Sequence, residues 1–283
     1  MTLEKWLIHP GETRGIDIET VRSLKVSMLG GQIDVIAHDE PGARIEIHSV
    51  TSKDLRIEVT GDALEIDHPQ LRWDNFLTAF RGLGSSGAKA DISLVVPRNI
   101  AITLGVVSAS ALIAGFTTDA KLNTVSGDIL VDGLTGDLDV NSVNGDVQVR
   151  GLHGAFNANS VSGDIAATGT LRRADADTVS GNVLFDSDGP ISQVNINTVN
   201  GNATLRLPEG YPSNSVVRSV SGKIVLDGVV HSGSGTTSYT GSSGELSGQF
   251  VDVRVNTVSG DLTVLRRPTE HTGSPATDGE MQS

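Results

Sequence analysis

The nonapeptide NTVSGDILV, residues 123–131, returns as NSVNGDVQV from Asn141, NSVSGDIAA from Asn159 and DTVSGNVLF from Asp177. Its central glycine recurs at Gly127, Gly145, Gly163, Gly181, Gly201, Gly222 and Gly260, at spacings of 18, 18, 18, 20, 21 and 38 residues. One period before Gly127 stands Ala109 in VVSASAL, a degenerate copy, so the array is expected to begin near residue 100. A fixed period of this size marks a repeat architecture in which each unit buries its apolar face only against its neighbours.

Aligned copies form five apolar columns headed by Ala120, Leu122, Val125, Ile129 and Val131; the third continues as Val143, Val161 and Val179. Within a unit these positions alternate with polar ones, the period of a strand with one buried face. Eighteen residues hold about two short strands and two or three turns, placed at Gly127, Gly133 and Gly136. Five apolar side chains at roughly 1.5–3 kcal/mol each fall short of roughly 1–2 kcal/mol of backbone entropy for every residue fixed. One unit therefore cannot stand alone. Stacked at about 4.8 Å, the units gain hydrogen bonds above and below and merge their columns into one core. The expected fold is all-β: a parallel β-solenoid, or single-stranded β-helix, with coils of about 18 residues.

Individual positions follow from that geometry. The recurrent glycines are expected to take a positive-φ turn conformation. The column Asn123, Asn141, Asn159, Asp177, Asn197 and Asn256 is expected to stack as a polar ladder. The adjoining hydroxyls of Thr124, Ser142, Ser160, Thr178, Thr198 and Thr257 are expected to support a turn at a corner.

Along the chain, residues 1–99 read as irregular strands that form the first coils and an N-terminal cap, with an aromatic and glycine-rich insertion at 71–90. Residues 100–267 hold the repeat array continuous with it, and residues 268–283 read as a disordered tail. The Gly/Ser-rich stretch 231–245 is expected to be a loop that accounts for the longest glycine spacing. A cap is needed because a bare terminal coil is an unpaired edge that invites polymerisation.

The combination of ISLVVP (92–97) leading into the array, the NTVSGDI coils, ATLRLPEG (203–210) leading into SVSGKI (219–224), and VNTVSGDLTV (255–264) resembles the bacterial DUF4097 family, described as β-strand-repeat or adhesin domains. The likeness covers roughly residues 20–266. It implies a β-solenoid, an adhesin-like role and no known catalytic residues.

Composition narrows the chemistry. A formal charge of −13 and the lack of a Lys/Arg stripe with interleaved aromatics argue against nucleic acid. Without cysteine there is no disulfide, thiolate nucleophile or Cys-bound zinc. The opening MTLEKWLIHPGETR lacks the apolar core of a secretory signal, and no stretch approaches the roughly 18 apolar residues of a membrane span. A cytoplasmic protein is the expectation.

Asp128, Asp146 and Asp164 should project from one corner of three successive coils, about 4.8 Å apart. They read as solvated turn aspartates, with a cation ladder and a carbohydrate-binding face as alternatives. The column continues as Asn182, Asn202 and Lys223, so the charge fades along it. In LRWDNFLTAFRGLGSSGAKA (71–90), Trp73, Phe76, Leu77 and Phe80 fall at helical spacing. They read as a segment folded over the solenoid end, or as a docking site for a partner or membrane surface.

The seven histidines are dispersed, and the phosphate-cradling G-x-x-x-x-G-K-[ST] and the G-x-S-x-G elbow are absent. No enzyme and no cofactor are expected. The favoured function is a non-catalytic scaffold or binding module for a protein or carbohydrate partner. Behind it stand a self-assembling or membrane-associated protein using the solenoid ends and residues 71–81, and, more remotely, a polysaccharide-processing β-helix enzyme.

Overall fold

A computed structural model describes residues 3–69, 87–232, 235–244 and 248–267. Alternating apolar and polar residues, punctuated by glycine, fold into 22 strands, and the described residues contain no helix. Trp73, Phe76, Leu77 and Phe80 lie outside the described residues.

The N-terminal part contributes β1 (Leu3–Ile8), β2 (Arg14–Ile18), β3 (Ser23–His38), β4 (Ala43–Thr51), β5 (Leu55–Thr60), β6 (Ala63–Asp67) and β7 (Lys89–Pro97). The repeats follow as β8 (Ala101–Ala114), β9 (Ala120–Ser126), β10 (Ile129–Asp132), β11 (Leu138–Asn144), β12 (Val147–Ser162), β13 (Ile165–Ser180), β14 (Val183–Ser187), β15 (Gln193–Asn200) and β16 (Ala203–Pro208). Each repeat strand pairs in parallel with the next copy: Asn141 lies beside Asn123 on one side and Asn159 on the other. Ile129 likewise lies between Ala111 and Val147. The 18-residue sequence period is thus the rung-to-rung step of a parallel stack.

The stack extends ahead of the recognisable repeats. β3 pairs in parallel with β8, Ser23 beside Ala101 and Ile33 beside Ala111, so residues 23–38 form the rung before the recognisable repeats. On the outer side of β3 lie β6 and β7, still parallel to it. Beyond them the pairing turns antiparallel, with β5 on β6, β1 on β5, β4 on β7 and β2 on β4.

The far end is also out of sequence order. β17 (Ser213–Ser221), β18 (Ile224–Leu226), β19 (Val229–His231) and β20 (Thr237–Ser243) precede β21 (Val251–Ser259) and β22 (Leu262–Arg267) in the chain. Yet β21 is inserted between β15 and β17, parallel to both, and β22 between β16 and β18. β20 and β19 then lie antiparallel on β17 and β18 and end the stack. Residues 237–243, expected to be loop, are therefore a closing strand. The longest glycine spacing measures the detour the chain makes before it returns to fill the gap.

The core is one continuous column. Ile33, Ala111, Ile129, Val147, Ile165, Val183, Ala203, Leu262 and Ile224 follow one another rung by rung and are all buried. Phe156 and Phe185 meet edge to face across the interior, with ring centroids 5.8 Å apart. In a chain so poor in aromatics, this pair fills space that the small Ala158, Ala167, Ala174 and Ala176 leave open.

The recurrent glycines divide. Gly163, Gly181, Gly222 and Gly260 take the expected positive φ, whereas Gly127, Gly145 and Gly201 lie outside that region and are required for a different reason. A Cβ on Gly127 would instead sit 2.1 Å from the Ala109 carbonyl oxygen of the preceding rung, and one on Gly201 only 1.9 Å from that of Gly181. Close approach of successive backbones selects glycine here.

Candidate binding face

The strand phase sets what faces out. From buried Leu122, Asn123 points outward, and Thr124, buried again, points inward. The outward amides form the expected ladder: Asn141 Nδ2 donates to Asn123 Oδ1 (3.0 Å) and Asn159 Nδ2 to Asn141 Oδ1 (3.2 Å). Further along, Asn197 donates to Asp177 (2.8 Å) and Asn256 to Asn197 (2.9 Å), so the ladder crosses into the inserted β21 rung. Asp177, which can only accept, occupies a position where acceptance suffices.

The inward hydroxyls support the turn in the earlier rungs only, and those of Thr178, Thr198 and Thr257 are buried without a hydrogen-bond partner among the described residues. Thr124 donates to the Gly127 carbonyl (3.0 Å) and Ser142 to that of Gly145 (3.2 Å).

Asp128, Asp146 and Asp164 also stack, and they act as backbone acceptors rather than as free carboxylates. Asp128 Oδ1 accepts the N–H of Asp146 (3.0 Å), Asp146 that of Asp164 (2.9 Å), and Asp164 that of Asn182 (2.8 Å). Asn182, Asn202 and Asp261 continue the chain, which ends on the N–H of Lys223. Any acceptor serves, so aspartate and asparagine interchange. Lys223 is tolerated because its rung is the last parallel one and only donates. Among the described residues no group of three or more His, Cys, Asp or Glu converges on a metal position.

A second outward ladder runs beside the amides. Asn157 donates to Asp139 (3.1 Å) and Asn195 to Asp175 (2.5 Å). Arg173 pairs with Asp175 and Arg254 with Asp252, each at 2.5 Å. Asp139, Asn157, Arg173, Asp175, Asn195 and Arg254 line an open groove of about 690 Å³. At its rim Asp137 is held below the ordinary carboxylate range by the Ala155 N–H and by Arg172, 2.8 Å away.

The valine column departs from the sequence reading. Val143, Val161, Val179, Val199, Val258 and Val220 are 37% to 51% exposed and stand one per rung along the edge of the amide ladder, not in the core. Only the N-terminal end of the column is covered: Val125 is buried, as is Leu29, which packs with Ala88 and Val107. Parity carries the signal that residue type obscured. Counting from buried Leu122 in steps of two, Val125 falls on the odd, outward phase. Beside the ridge a shallow groove of about 570 Å³ reaches from Asn159 to Thr236.

Inward hydroxyls, outward amide ladders and an apolar ridge, all repeated rung by rung, define an all-β repeat protein built to present a long regular face. The chain belongs to the Toastrack DUF4097 family, which matches residues 21–265. Among solved structures it is similar to a protein from Parabacteroides distasonis described as a candidate lipid binding protein. The two are 13% identical with a TM-score of 0.50, covering 91% of this chain and 98% of that one. A candidate adhesin from Bacteroides fragilis is 12% identical, with a TM-score of 0.48 and coverage of 91% and 98%. A candidate cell adhesion protein from Clostridium sporogenes is 13% identical, with a TM-score of 0.30 and coverage of 94% and 100%. At these identities the Parabacteroides structure speaks for a shared fold alone. No curated protein matches the chain. No helix among the described residues is long and apolar enough to cross a membrane.

Proposed function

We propose that the chain is a non-catalytic, adhesin-like scaffold: a parallel β-solenoid that holds a polyhydroxylated partner, a glycan, in the groove of its amide face. The observation that carries this is the pair of adjacent ladders. Asp139, Asn157, Asp175 and Asn195 run beside Asn141, Asn159, Asp177 and Asn197, giving rows of donors and acceptors at rung spacing. Hydroxyls both donate and accept, and so complement such rows. The groove's guanidinium groups already face Asp175 and Asp252, which leaves little positive charge to select an anion.

The carboxylates argue against turnover. A general acid works best with a pKa near the operating pH, whereas Asp137 is shifted downward and Asp175 is ion-paired. A glycan array followed by titration calorimetry tests the reading. Binding is expected, weakened about tenfold or more by Asn157→Ala/Asn195→Ala through loss of two hydrogen-bonding groups, with no sugar released on prolonged incubation. An array with no ligand, or oligosaccharide release, would overturn it.

A further inference from the structure

The ridge differs from the groove in chemistry. Its flanks are uncharged on nearly every rung, with Ser162, Ser180, Asn200, Ser259 and Ser221 on one side and Asn159, Asn197 and Asn256 on the other. The two exceptions are Asp177 and Arg218, both exposed and both in the amide column. The stack order, fixed by the inserted β21 rung, is Asp177, Asn197, Asn256, Arg218. Three rungs, about 14 Å, separate the two charges, so they cannot meet within one chain. Arg218 has no ion-pair partner among the described residues, and Asp177 accepts only the Asn197 amide.

We propose that the valine ridge is a pairing surface for a second copy of this chain, the two ridges antiparallel about a two-fold axis between Val199 and Val258. That operation places Asp177 of each copy opposite Arg218 of the other. It also lays Val179 against Val220 and Val199 against Val258. Both ion pairs form at once because a two-fold interface uses the same patch twice. A ridge of valines at rung spacing is matched along its length only by another stack of the same spacing. The copies each carry a formal charge of −13 and would repel elsewhere, but here the lone carboxylate is answered. The ridge shares Asp177, Asn197 and Asn256 with the edge of the glycan groove, but the pairing is argued from the valines and the two charges and stands or falls independently of the glycan reading.

The surface is modest beside the roughly 800 Å² per partner of a standard interface, and exposed ion pairs are screened by salt. The full chain is therefore expected to show a reversible, salt-weakened monomer–dimer equilibrium in sedimentation runs from about 10 μM to about 1 mM. Asp177→Arg and Arg218→Asp should each abolish self-association, since each places like charges opposite. Mixed in equal amounts, the two variants should dimerise again, because one then offers two arginines and the other two aspartates. A single cooperative melt for both variants guards against unfolding, with Asp177→Arg slightly less stable because it also removes the acceptor of the Asn197 amide. A wild-type chain that stays monomeric throughout, or a mixture that does not recover, would overturn the proposal. So would ridge-dependent binding of the monomer to neutral phosphatidylcholine vesicles.

Discussion

Alanine at Gly201 is expected to destabilise the protein by about 3 kcal/mol or more, whereas alanine at Gly133 is expected to cost about 1–2 kcal/mol. The two positions separate two demands that glycine can meet. Gly133 sits at φ +67° with nothing within 4 Å of the Cβ it lacks. Its replacement meets only the penalty of a left-handed backbone. Gly201 lies outside the positive-φ region, yet an added Cβ would fall 1.9 Å from the Gly181 oxygen and 2.7 Å from its carbon. Both are backbone atoms, so relief requires two rungs to part. That separation would also strain the Gly201 N–H bond to Ser259 on the other side. Urea unfolding of the two variants reads the difference directly. Equal losses would mean that turn conformation, not rung contact, selects these glycines.

Stability is expected to fall by about 3 kcal/mol as pH drops from about 6.5 to about 4, through His68. This histidine follows β6 and is fully buried. Its Nδ1 accepts the Leu29 N–H at 3.4 Å, which leaves the proton on Nε2, and Nε2 has no partner among the described residues. Burial pushes its pKa down from 6.5 to about 4; the neighbouring Asp67 works in the opposite direction but is engaged by Arg56. In the unfolded chain the imidazole regains its ordinary value. Between the two pKa values the unfolded state binds the extra proton, so the stabilisation is complete above the unfolded pKa and disappears as pH falls through the folded one. His68→Gln keeps an acceptor for Leu29 and removes the titration. Melting curves of the two proteins should diverge at neutral pH and converge towards pH 4; parallel curves across that range would rule out His68 as the source.

What the sequence revealed and concealed has a physical pattern. The 18-residue period and the amide ladder were legible because successive rungs repeat the same side-chain hydrogen bonds, as at Asn141 and Asn159, whereas the turn hydroxyls repeat theirs only in the earlier rungs, as at Thr124 and Ser142. The stacking order was not. β21 carries N-T-V-S-G where β15 carries N-T-V-N-G and β17 R-S-V-S-G, variants of one edge, so Asn256 and Thr257 fit equally beside Asn197 or beside a later rung. Nothing local says that the chain lays down Arg218 first and returns beneath it. β3 was hidden for the opposite reason. Its LKVSMLGGQIDV lacks the motif, although Gly31 sits beside Ala109 at the motif's glycine position. The valine ridge was misplaced because valine suggests a core, while strand parity from Leu122 sends it outward.

The inserted rung governs both the continuity of the amide face and the three-rung spacing of Asp177 and Arg218, and a cysteine-free chain permits a direct check. Val258 lies between Val199 and Val220 in the stack. Neighbouring rungs are about 4.8 Å apart, within disulfide reach, whereas two rungs span about 10 Å, beyond it. Mild oxidation of Val199→Cys/Val258→Cys should therefore give an intramolecular disulfide, seen by mass spectrometry of the intact chain, and Val199→Cys/Val220→Cys should remain reduced. Cross-linking of the second pair but not the first would place the rungs in sequence order and contradict the arrangement on which the binding face depends.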